Sequence, residues 1–347
     1  MKKLLASEVV PGMKLGQDIA ASTGAVLMPA GSILTEKAID SFENWNVDQV
    51  SIIEESDQEI SKRQEEEQKF KETYNTAVTN VMDLMDRLEE AEELNSGELR
   101  GISEDLSEFT RDYSYIKLFN ELGSKDKRAY QHSINVGIFS SLLARWLGYD
   151  NAIAKELVLT GVLHDIGKVK LPKDILYKET PLSEEEEQEF QKHPEYGYEL
   201  ITANTNFNEN VARGILEHHE LLSGKGYPQG KEGYEIHIYG KIVAITNVFD
   251  KIINQQYKNG YENFTFQDLQ TIAGNTRDYD LTIAKTFVNH IYNLFSGSRV
   301  ILSNANEAEI VMVYKNEITR PLVKLDNGEF LDLSKERSVK IDKVLEI

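Results

Sequence analysis

An apolar stretch that ends in two side chains of metal-ligand type is the feature that most constrains the fold of this chain. Residues 156–163 read ELVLTGVL and are followed directly by His164 and Asp165. The stretch is apolar enough to form a buried helix, and packing alone gives no reason to end such a helix with an imidazole and a carboxylate. Gly167 follows, and glycine at that place is typical of the left-handed residue that ends a helix. The sequence therefore predicts a helical core that presents reactive groups at a helix end.

Histidines gather in the same part of the chain. Of the 7 histidines, five fall between residues 132 and 219. These five are His132, His164, His193, His218 and His219. His132 repeats with Val136, Phe139 and Leu143 at helical spacing, which predicts an imidazole that points inward with the core. A buried imidazole needs a partner, so the gathering predicts a metal site.

The pair His218 and His219 indicates more than one ion. It follows a second apolar stretch, Val211–Leu216. Adjacent residues of a helix point about 100° apart, so we expect the two imidazoles to reach two different ions. Because the chain has no cysteine, the ligands are imidazole and carboxylate, which suit Fe, Mn, Zn, Ni or Co.

Such a cluster activates water and takes up charge on a phosphoryl oxygen. Lys168 stands just past His164 and Asp165, where it can contact a phosphate or protonate a leaving oxygen. The alternative is an exposed lysine that stabilises the helix end through the macrodipole.

The pattern along the chain predicts a mostly α fold with β elements at both ends. Residues 1–55 show short apolar stretches separated by turn residues, typical of a small α+β accessory module. Residues 98–296 are helical in pattern and contain all the candidate chemistry, which predicts an all-helical catalytic domain. Residues 297–347 show apolar runs between turn signals and predict a β-rich C-terminal tail.

An acidic segment, residues 56–97, connects the front module to the helical domain. Residues 54–100 contain 15 acidic and 6 basic residues, one glycine and no proline, which favours a long helix. Its apolar residues at spacings of four and three are Phe70, Tyr74, Ala77, Val81, Leu84 and Leu88. This seam covers about two and a half heptads. Two interpretations stay open: a helix packed against its own domain, and a homodimer formed through the 70–88 helix.

Charge and hydropathy disfavour two classes of partner. The formal net charge of −20 repels nucleic acid and anionic membranes, so we expect no DNA binding. No segment reaches the roughly 18 apolar residues that span a bilayer, and Glu8 interrupts the opening residues before a signal-peptide core can form. We expect a cytoplasmic protein that is not inserted in a membrane.

With these residues the chain resembles the HD superfamily of metal-dependent phosphohydrolases. The segments His164–Lys168 (HDIGK) and His218–Pro228 (HHELLSGKGYP) are similar to signatures of the HD-GYP family. His193–Pro194 and Leu171–Leu176 fall where that family has corresponding motifs. The similarity extends from about residue 130 to residue 252, over a third of the chain.

The resemblance implies hydrolysis of cyclic di-GMP to the linear dinucleotide, and in some members on to GMP, with iron or manganese as the usual metals. The implied metal ligands, for two divalent ions, are His132, His164, Asp165, His193, His218, His219 and Asn247. The implied catalytic residues are Lys168, on the scissile phosphate, and Asp165. Further implied substrate-binding residues are Gly226, Tyr227, Pro228, Tyr257 and Lys258. Signalling proteins are implied as additional partners.

Departures from the family pattern bear on activity. Asn247 stands where the family has the first aspartate of its last motif, and a neutral amide is a poorer ligand for a dication. Arg128 stands where tri-nuclear members carry a glutamate, which argues against a third ion. Leu221 and Ser223 replace a common arginine and aspartate.

Two alternatives to the active enzyme follow. One is a catalytically impaired member that binds a cyclic dinucleotide or a partner protein as a signalling module. The other is an HD phosphohydrolase acting on nucleotides such as dNTPs, which leaves the Gly226–Pro228 segment unexplained.

Overall fold

The computed structural model of the chain describes residues 1–10, 13–20, 26–28, 32, 34, 36–45, 47–53, 57–90, 94–110, 122, 127–203, 207–259, 266–292, 295, 297–314, 317 and 319–346. The chain divides into two compact units. The first contains Met1–Lys69 and Phe295–Ile347, and the second contains Phe70–Leu294. The predicted front module, residues 1–55, and the predicted tail, residues 297–347, therefore both fall within the first unit.

The N-terminal part of the first unit combines short strands with one helix. Strands β1 to β5 are Lys2–Leu5, Lys14–Leu15, Ile19–Ala20, Val26–Met28 and Gln49–Ile53, and helix α1 is Glu36–Asn44. The strands form an antiparallel sheet in the order β1-β5-β2 and a separate β3-β4 pair. Phe42 of α1 and Ile52 of β5 are buried in its core. Thr35 precedes α1 and is of a residue type typical of a helix N-cap, but it lies outside the described residues.

The C-terminal part of the first unit is a five-stranded antiparallel sheet. Its strands β6 to β10 are Arg299–Leu302, Glu307–Met312, Leu322–Leu325, Phe330–Asp332 and Ile341–Glu346. They pair in the order β10-β6-β7-β8-β9. The ring of Phe330 lies 5.2 Å from that of Trp45, so this sheet contacts the end of α1. The prediction of a β-rich tail is confirmed.

A long helix, α2 (Asp57–Glu89), runs from the first unit into the second. Phe70, Tyr74, Val81 and Leu84 of the predicted seam are buried within this single chain, and the Phe70 ring lies 5.2 Å from that of Phe109. The seam therefore packs against its own chain, which is the first of the two interpretations.

The second unit is helical. Helices α3 to α7 are Ser96–Phe109, Arg128–Trp146, Asn151–Leu163, Lys173–Leu176 and Glu184–Phe190. Helices α8 to α12 are His193–Thr202, Glu209–Glu217, Ile238–Asn259, Phe266–Gly274 and Leu281–Tyr292. The predicted fold class, mostly α with small sheets toward both ends of the chain, is confirmed. Within the described ranges, every helix is too short or too polar to cross a bilayer.

Candidate metal centre

The apolar stretch around residue 160 forms the buried helix α5, and its end delivers His164 and Asp165. Asp150 begins the helix by accepting a hydrogen bond from the backbone N–H of Ile153, a standard N-cap. Both His164 and Asp165 are buried, at 0% and 6% exposure. The chain then continues as a 3₁₀ helix, Ile166–Lys170.

Gly167 has a different role from the expected left-handed helix end. It lies within the 3₁₀ helix and is absent from the positive-φ residues, so that expectation is wrong. A Cβ at Gly167 would lie 2.0 Å from the carbonyl oxygen of His193 and 2.3 Å from the backbone nitrogen of Gly197. Glycine is needed here because α8 passes against this turn, and that close approach brings His193 to His164 and Asp165.

Three of the imidazoles are oriented by the same local contact. The Nδ1 atoms of His164, His193 and His218 donate to the carbonyl oxygens of Gly161, Phe190 and Ile215, at 2.7, 2.8 and 2.6 Å. A carbonyl oxygen only accepts, so each Nδ1 carries the proton and each Nε2 offers a lone pair. Burial lowers the pKa of His164 and of His218, which favours the neutral ligand form. Such outer contacts fix ligand tautomer and orientation in metal sites.

Asp165 lies at the centre of these imidazoles. Its Oδ2 is 3.2 Å from Nε2 of His164, and its Oδ1 is 3.3 Å from Nε2 of His193 and 3.9 Å from Nε2 of His218. Lys168 donates to Oδ2 at 2.6 Å. Burial opposes ionisation of Asp165, but the surrounding cationic and hydrogen-bonding side chains, Lys168 among them, outweigh it, and the pKa of the carboxyl lies well below its ordinary value.

Two sets of side chains in the described part of the chain have the spacing of a metal site, and they share Asp165. One set is His132, His164 and Asp165. The other is Asp165, His193, His218 and His219. Within each set, one candidate ligand atom per residue lies within 4.8 Å of the others. The chain therefore contains a His/Asp cluster that can hold metal.

His218 and His219 fall in the same set, so the expectation that they reach different ions is wrong in this geometry. The expectation assumed helical spacing, but α9 ends at Glu217. The two rings lie 4.1 Å apart and tilted by 46°. Burial is the largest cause that lowers the pKa of His219, and the charge of Lys251 lowers it further.

The Gly226–Pro228 turn packs against His219. Tyr227 stacks on the ring of His219 at 4.6 Å and 26°. A Cβ at Gly226 would lie 2.5 Å from the carbonyl oxygen of His219, so only glycine allows this approach. Buried Glu220 holds the following segment by accepting from the backbone N–H groups of Gln229 and Lys231. The turn is placed to orient His219.

His132 is held differently, through Asp250. Its Nδ1 lies 2.6 Å from Oδ2 of Asp250, and its Nε2 lies 4.0 Å from Oδ2 of Asp165. The sequence analysis did not predict this contact. No signal in the sequence links residues 118 positions apart.

Buried polar atoms without partners indicate that the cluster fits a metal. Nε2 of His132, Nε2 of His164 and Oδ1 of Asn247 are buried and make no hydrogen bond within the described residues. Leaving such atoms unpaired costs free energy, and a cation would satisfy them. Asn247 lies one turn before Asp250 on α10 and is 1% exposed. This donor set of imidazole and carboxylate suits divalent transition metals.

A cavity of about 530 Å³ opens beside the cluster, with His132 and Asp165 in its wall. Three cations, Arg128, Lys168 and Lys251, also line it. Arg128 and Lys251 make no hydrogen bond or ion pair with any residue that the structure describes.

Lys251 belongs to none of the sequence motifs above, so the sequence did not predict its place in the cavity wall. Burial lowers the pKa of Lys251, and the attraction of Asp165 opposes this effect. Tyr257 and Lys258, two of the implied substrate residues, lie near the end of α10, and their side chains are outside the described part of the structure.

Comparisons with known proteins agree with this geometry. A family profile described as an HD domain matches residues 118–283. The cyclic di-GMP phosphodiesterase PdeB of Borreliella burgdorferi is 25% identical over 330 residues, which cover 91% of this chain and 86% of that protein. The 3′3′-cGAMP-specific phosphodiesterase 2 of Vibrio cholerae is 30% identical over 188 residues, 54% of this chain and 36% of that protein.

Several curated relatives are longer proteins, of which the chain spans 45%, 49% and 36%. Among solved structures, Bd1817, an HDG"Y"P protein from Bdellovibrio bacteriovorus, matches with a TM-score of 0.50 at 15% identity. The match covers 84% of this chain and 99% of that one, and it supports the fold. The matched HD-domain region contains every residue of the cluster described above.

Proposed function

We propose that this chain is a metal-dependent phosphodiesterase of the HD-GYP type that hydrolyses cyclic di-GMP, and the HD-domain match over residues 118–283 supports the proposal. The observation that carries the proposal is the pair of ligand sets that share Asp165. Different imidazoles lie near the two oxygens of this carboxylate, so it is suited to bind two cations at once. Relatives named as cyclic di-GMP phosphodiesterases support the choice of substrate.

The proposed centre contains two divalent ions, with iron or manganese as the first candidates. The proposed ligands are His132, His164, Asp165, His193, His218, His219 and Asn247. When bound, the ions supply an activated water and neutralise charge on the phosphoryl oxygens. The protein supplies fixed imidazole orientations, since Nδ1 of His164 donates to Gly161 and Nδ1 of His193 donates to Phe190.

The side chains of the cavity are proposed to bind and orient the phosphodiester. Lys168 and Lys251 lie in the wall that contains Asp165, where their ammonium groups can contact the scissile phosphate. Hydrolysis adds water across one P–O bond of the ring and yields the linear dinucleotide, so the leaving oxygen must receive a proton. Lys168 is proposed to donate it, and solvent then restores the ammonium group.

The rest of the cavity is suited to the remainder of a cyclic dinucleotide. Such a substrate carries two phosphates, and Arg128 adds a third cation to the wall. Tyr130 and Tyr177 also line the cavity, and aromatic rings stack on nucleobases. We propose that Tyr227, Gly226 and Pro228 shape the site through His219, and that Tyr257 and Lys258 belong to the substrate surface.

A second candidate function is supported by one observation. Asn247 is buried with an unpaired oxygen, and a neutral amide holds a dication less strongly than a carboxylate does. A chain that loses one ion in this way would bind a cyclic dinucleotide and act as a signalling module without turnover.

Substrate competition tests the proposed function. The Mn(II)-loaded chain is incubated with equal concentrations of cyclic di-GMP, 3′3′-cGAMP and dGTP, and products are separated by chromatography. We expect cyclic di-GMP to be converted fastest, into a linear dinucleotide. Preferential conversion of 3′3′-cGAMP would overturn the choice of substrate, and conversion of dGTP alone would support a nucleotide phosphohydrolase. Binding of cyclic di-GMP without any product would favour the second candidate.

A further inference from the structure

A row of three hydrogen bonds joins the long helix α2 to the candidate ligand His132. The hydroxyl of Tyr74 donates to Oδ1 of Asn135 at 2.8 Å. Nδ2 of Asn135 donates to Oδ1 of Asp250 at 2.9 Å. Oδ2 of Asp250 lies 2.6 Å from Nδ1 of His132. This row of hydrogen bonds thus passes from α2 through α4 and α10 and returns to α4.

This row of hydrogen bonds is buried along its length. Tyr74, Asn135 and Asp250 are 2%, 7% and 2% exposed. In such surroundings an unpaired polar group costs free energy, so each group depends on its neighbour. Apolar side chains could join three helices at least as stably, so packing does not explain why this row is polar.

The direction of each bond follows from the chemistry of the groups. The Tyr74 hydroxyl donates, which places the carbonyl oxygen of Asn135 toward α2 and its amide nitrogen toward Asp250. Burial, and then the charge of Asp250, raise the pKa of Tyr74 well above its ordinary value, so its proton stays available. An ionised Asp250 accepts at both oxygens, which puts the proton of His132 on Nδ1 and leaves the lone pair on Nε2.

We propose that Tyr74 is a positioning residue that holds His132 in its metal-binding tautomer and orientation through Asn135 and Asp250. This inference rests on the proposed metal centre, and it states that metal binding at this centre depends on the position of α2. If α2 shifts, Asn135 loses the donor that fixes its carbonyl oxygen, and its amide group then holds Oδ1 of Asp250 less firmly. The affinity for metal at the His132 set is therefore coupled to the placement of a helix that extends into the other unit.

Substitution of Tyr74 by phenylalanine in the full chain tests this inference, because it removes only the hydroxyl. Outer partners of metal ligands typically contribute 10- to 100-fold to metal affinity, so we expect Tyr74→Phe to weaken Mn(II) binding by about tenfold. Affinity is measured by equilibrium dialysis with metal analysis, and the Tm of the metal-free chain is measured on the same samples.

A matched control is Ser141→Ala. It removes a buried hydrogen bond on the same helix α4, from Ser141 to Thr110 at 2.9 Å, and it touches none of the proposed ligands. We expect a comparable change in Tm with unchanged Mn(II) affinity. Equal affinity losses in Ser141→Ala and Tyr74→Phe would mean that the effect is general destabilisation, and this result would overturn the inference.

A double-substitution cycle keeps the test independent of the folding of any one variant. If Tyr74 acts only through Asn135, Asn135→Ala alone and Asn135→Ala with Tyr74→Phe should have the same Mn(II) affinity. Additive losses, or an affinity in Tyr74→Phe within twofold of the unaltered chain, would overturn the inference while leaving the metal centre in place. Absence of Mn(II) binding by the unaltered chain would overturn both the inference and the proposed function.

Discussion

Oδ1 of Asp165 lies 3.3 Å from Nε2 of His193, while Oδ2 of the same carboxylate lies 3.2 Å from Nε2 of His164. One side chain thus takes part in both ligand sets. The proposed centre therefore has a single shared carboxylate, and its loss should affect both ions at once.

Removal of this carboxylate is the first prediction. Asp165→Ala should abolish detectable bound metal together with phosphodiesterase activity, because neither set keeps its anionic ligand. Metal content per chain by mass spectrometry is the measurement. Asp174→Asn, at an exposed acid of α6, is the control and should keep full metal content. Full metal content in Asp165→Ala would contradict the cluster assignment.

Lys251 should contribute to substrate binding more than to metal binding. Its ammonium group lines the cavity without a hydrogen bond or an ion pair among the described residues. A hydrogen bond to a charged group contributes about 1.5–3 kcal/mol, so Lys251→Met should raise KM for cyclic di-GMP by roughly 10- to 100-fold. Metal content should not change.

The control for Lys251 is Lys170→Met. Lys170 is a cation of the 3₁₀ helix that pairs with Glu199 at 3.4 Å and is absent from the cavity wall. Lys251→Arg should restore part of the lost binding because it keeps the charge. An unchanged KM in Lys251→Met would remove Lys251 from the proposed substrate surface.

The metal-free chain should become less stable as the pH falls below about 6.5. Burial lowers the folded-state pKa of His164, His218 and His219 from an ordinary value of 6.5. Between that value and the lowered folded pKa values, the unfolded chain binds more protons, so the free energy of unfolding decreases with decreasing pH.

Thermal unfolding in chelator at pH 7.5 and pH 5.5 measures this effect. We expect a lower Tm at pH 5.5, and a smaller decrease in His218→Gln, which lacks one of these imidazoles. An equal or higher Tm at pH 5.5 would contradict the neutral, buried state of the histidines.

Asn247→Asp separates an active enzyme from an impaired one. The added carboxylate should strengthen Mn(II) binding, since an anionic oxygen is a better ligand for a dication than an amide is. If the natural protein is an enzyme, both forms should hydrolyse cyclic di-GMP. Activity confined to Asn247→Asp would mean that the natural chain is a binding module. Unchanged Mn(II) affinity would remove Asn247 from the proposed ligands.

Local sequence patterns predicted the helices and strands, but they could not predict contacts between residues far apart in the sequence. The buried helix before His164 and the strands at 299–302 and 322–325 follow from hydrophobic periodicity, which is a local property. The bond between His132 and Asp250 joins two helices far apart in sequence, and no spacing rule specifies it. The short strand Phe330–Asp332 does not follow from periodicity, because its residues show no clear apolar run.

The errors at the site have a similar physical origin. The expectation for His218 and His219 applied helical geometry to a pair that follows the last helical residue, Glu217. The expectation for Gly167 assigned it a backbone conformation, whereas its role is to admit the carbonyl oxygen of His193. In both cases the deciding contact comes from another helix.

The most direct test of the account is product formation as a function of metal content. The chain is purified without oxygen, loaded stepwise with Mn(II) or Fe(II), and assayed for conversion of cyclic di-GMP to the linear dinucleotide. The account predicts that activity rises with occupancy and reaches its maximum at about two ions per chain. Full occupancy by both metals without any linear product would contradict it.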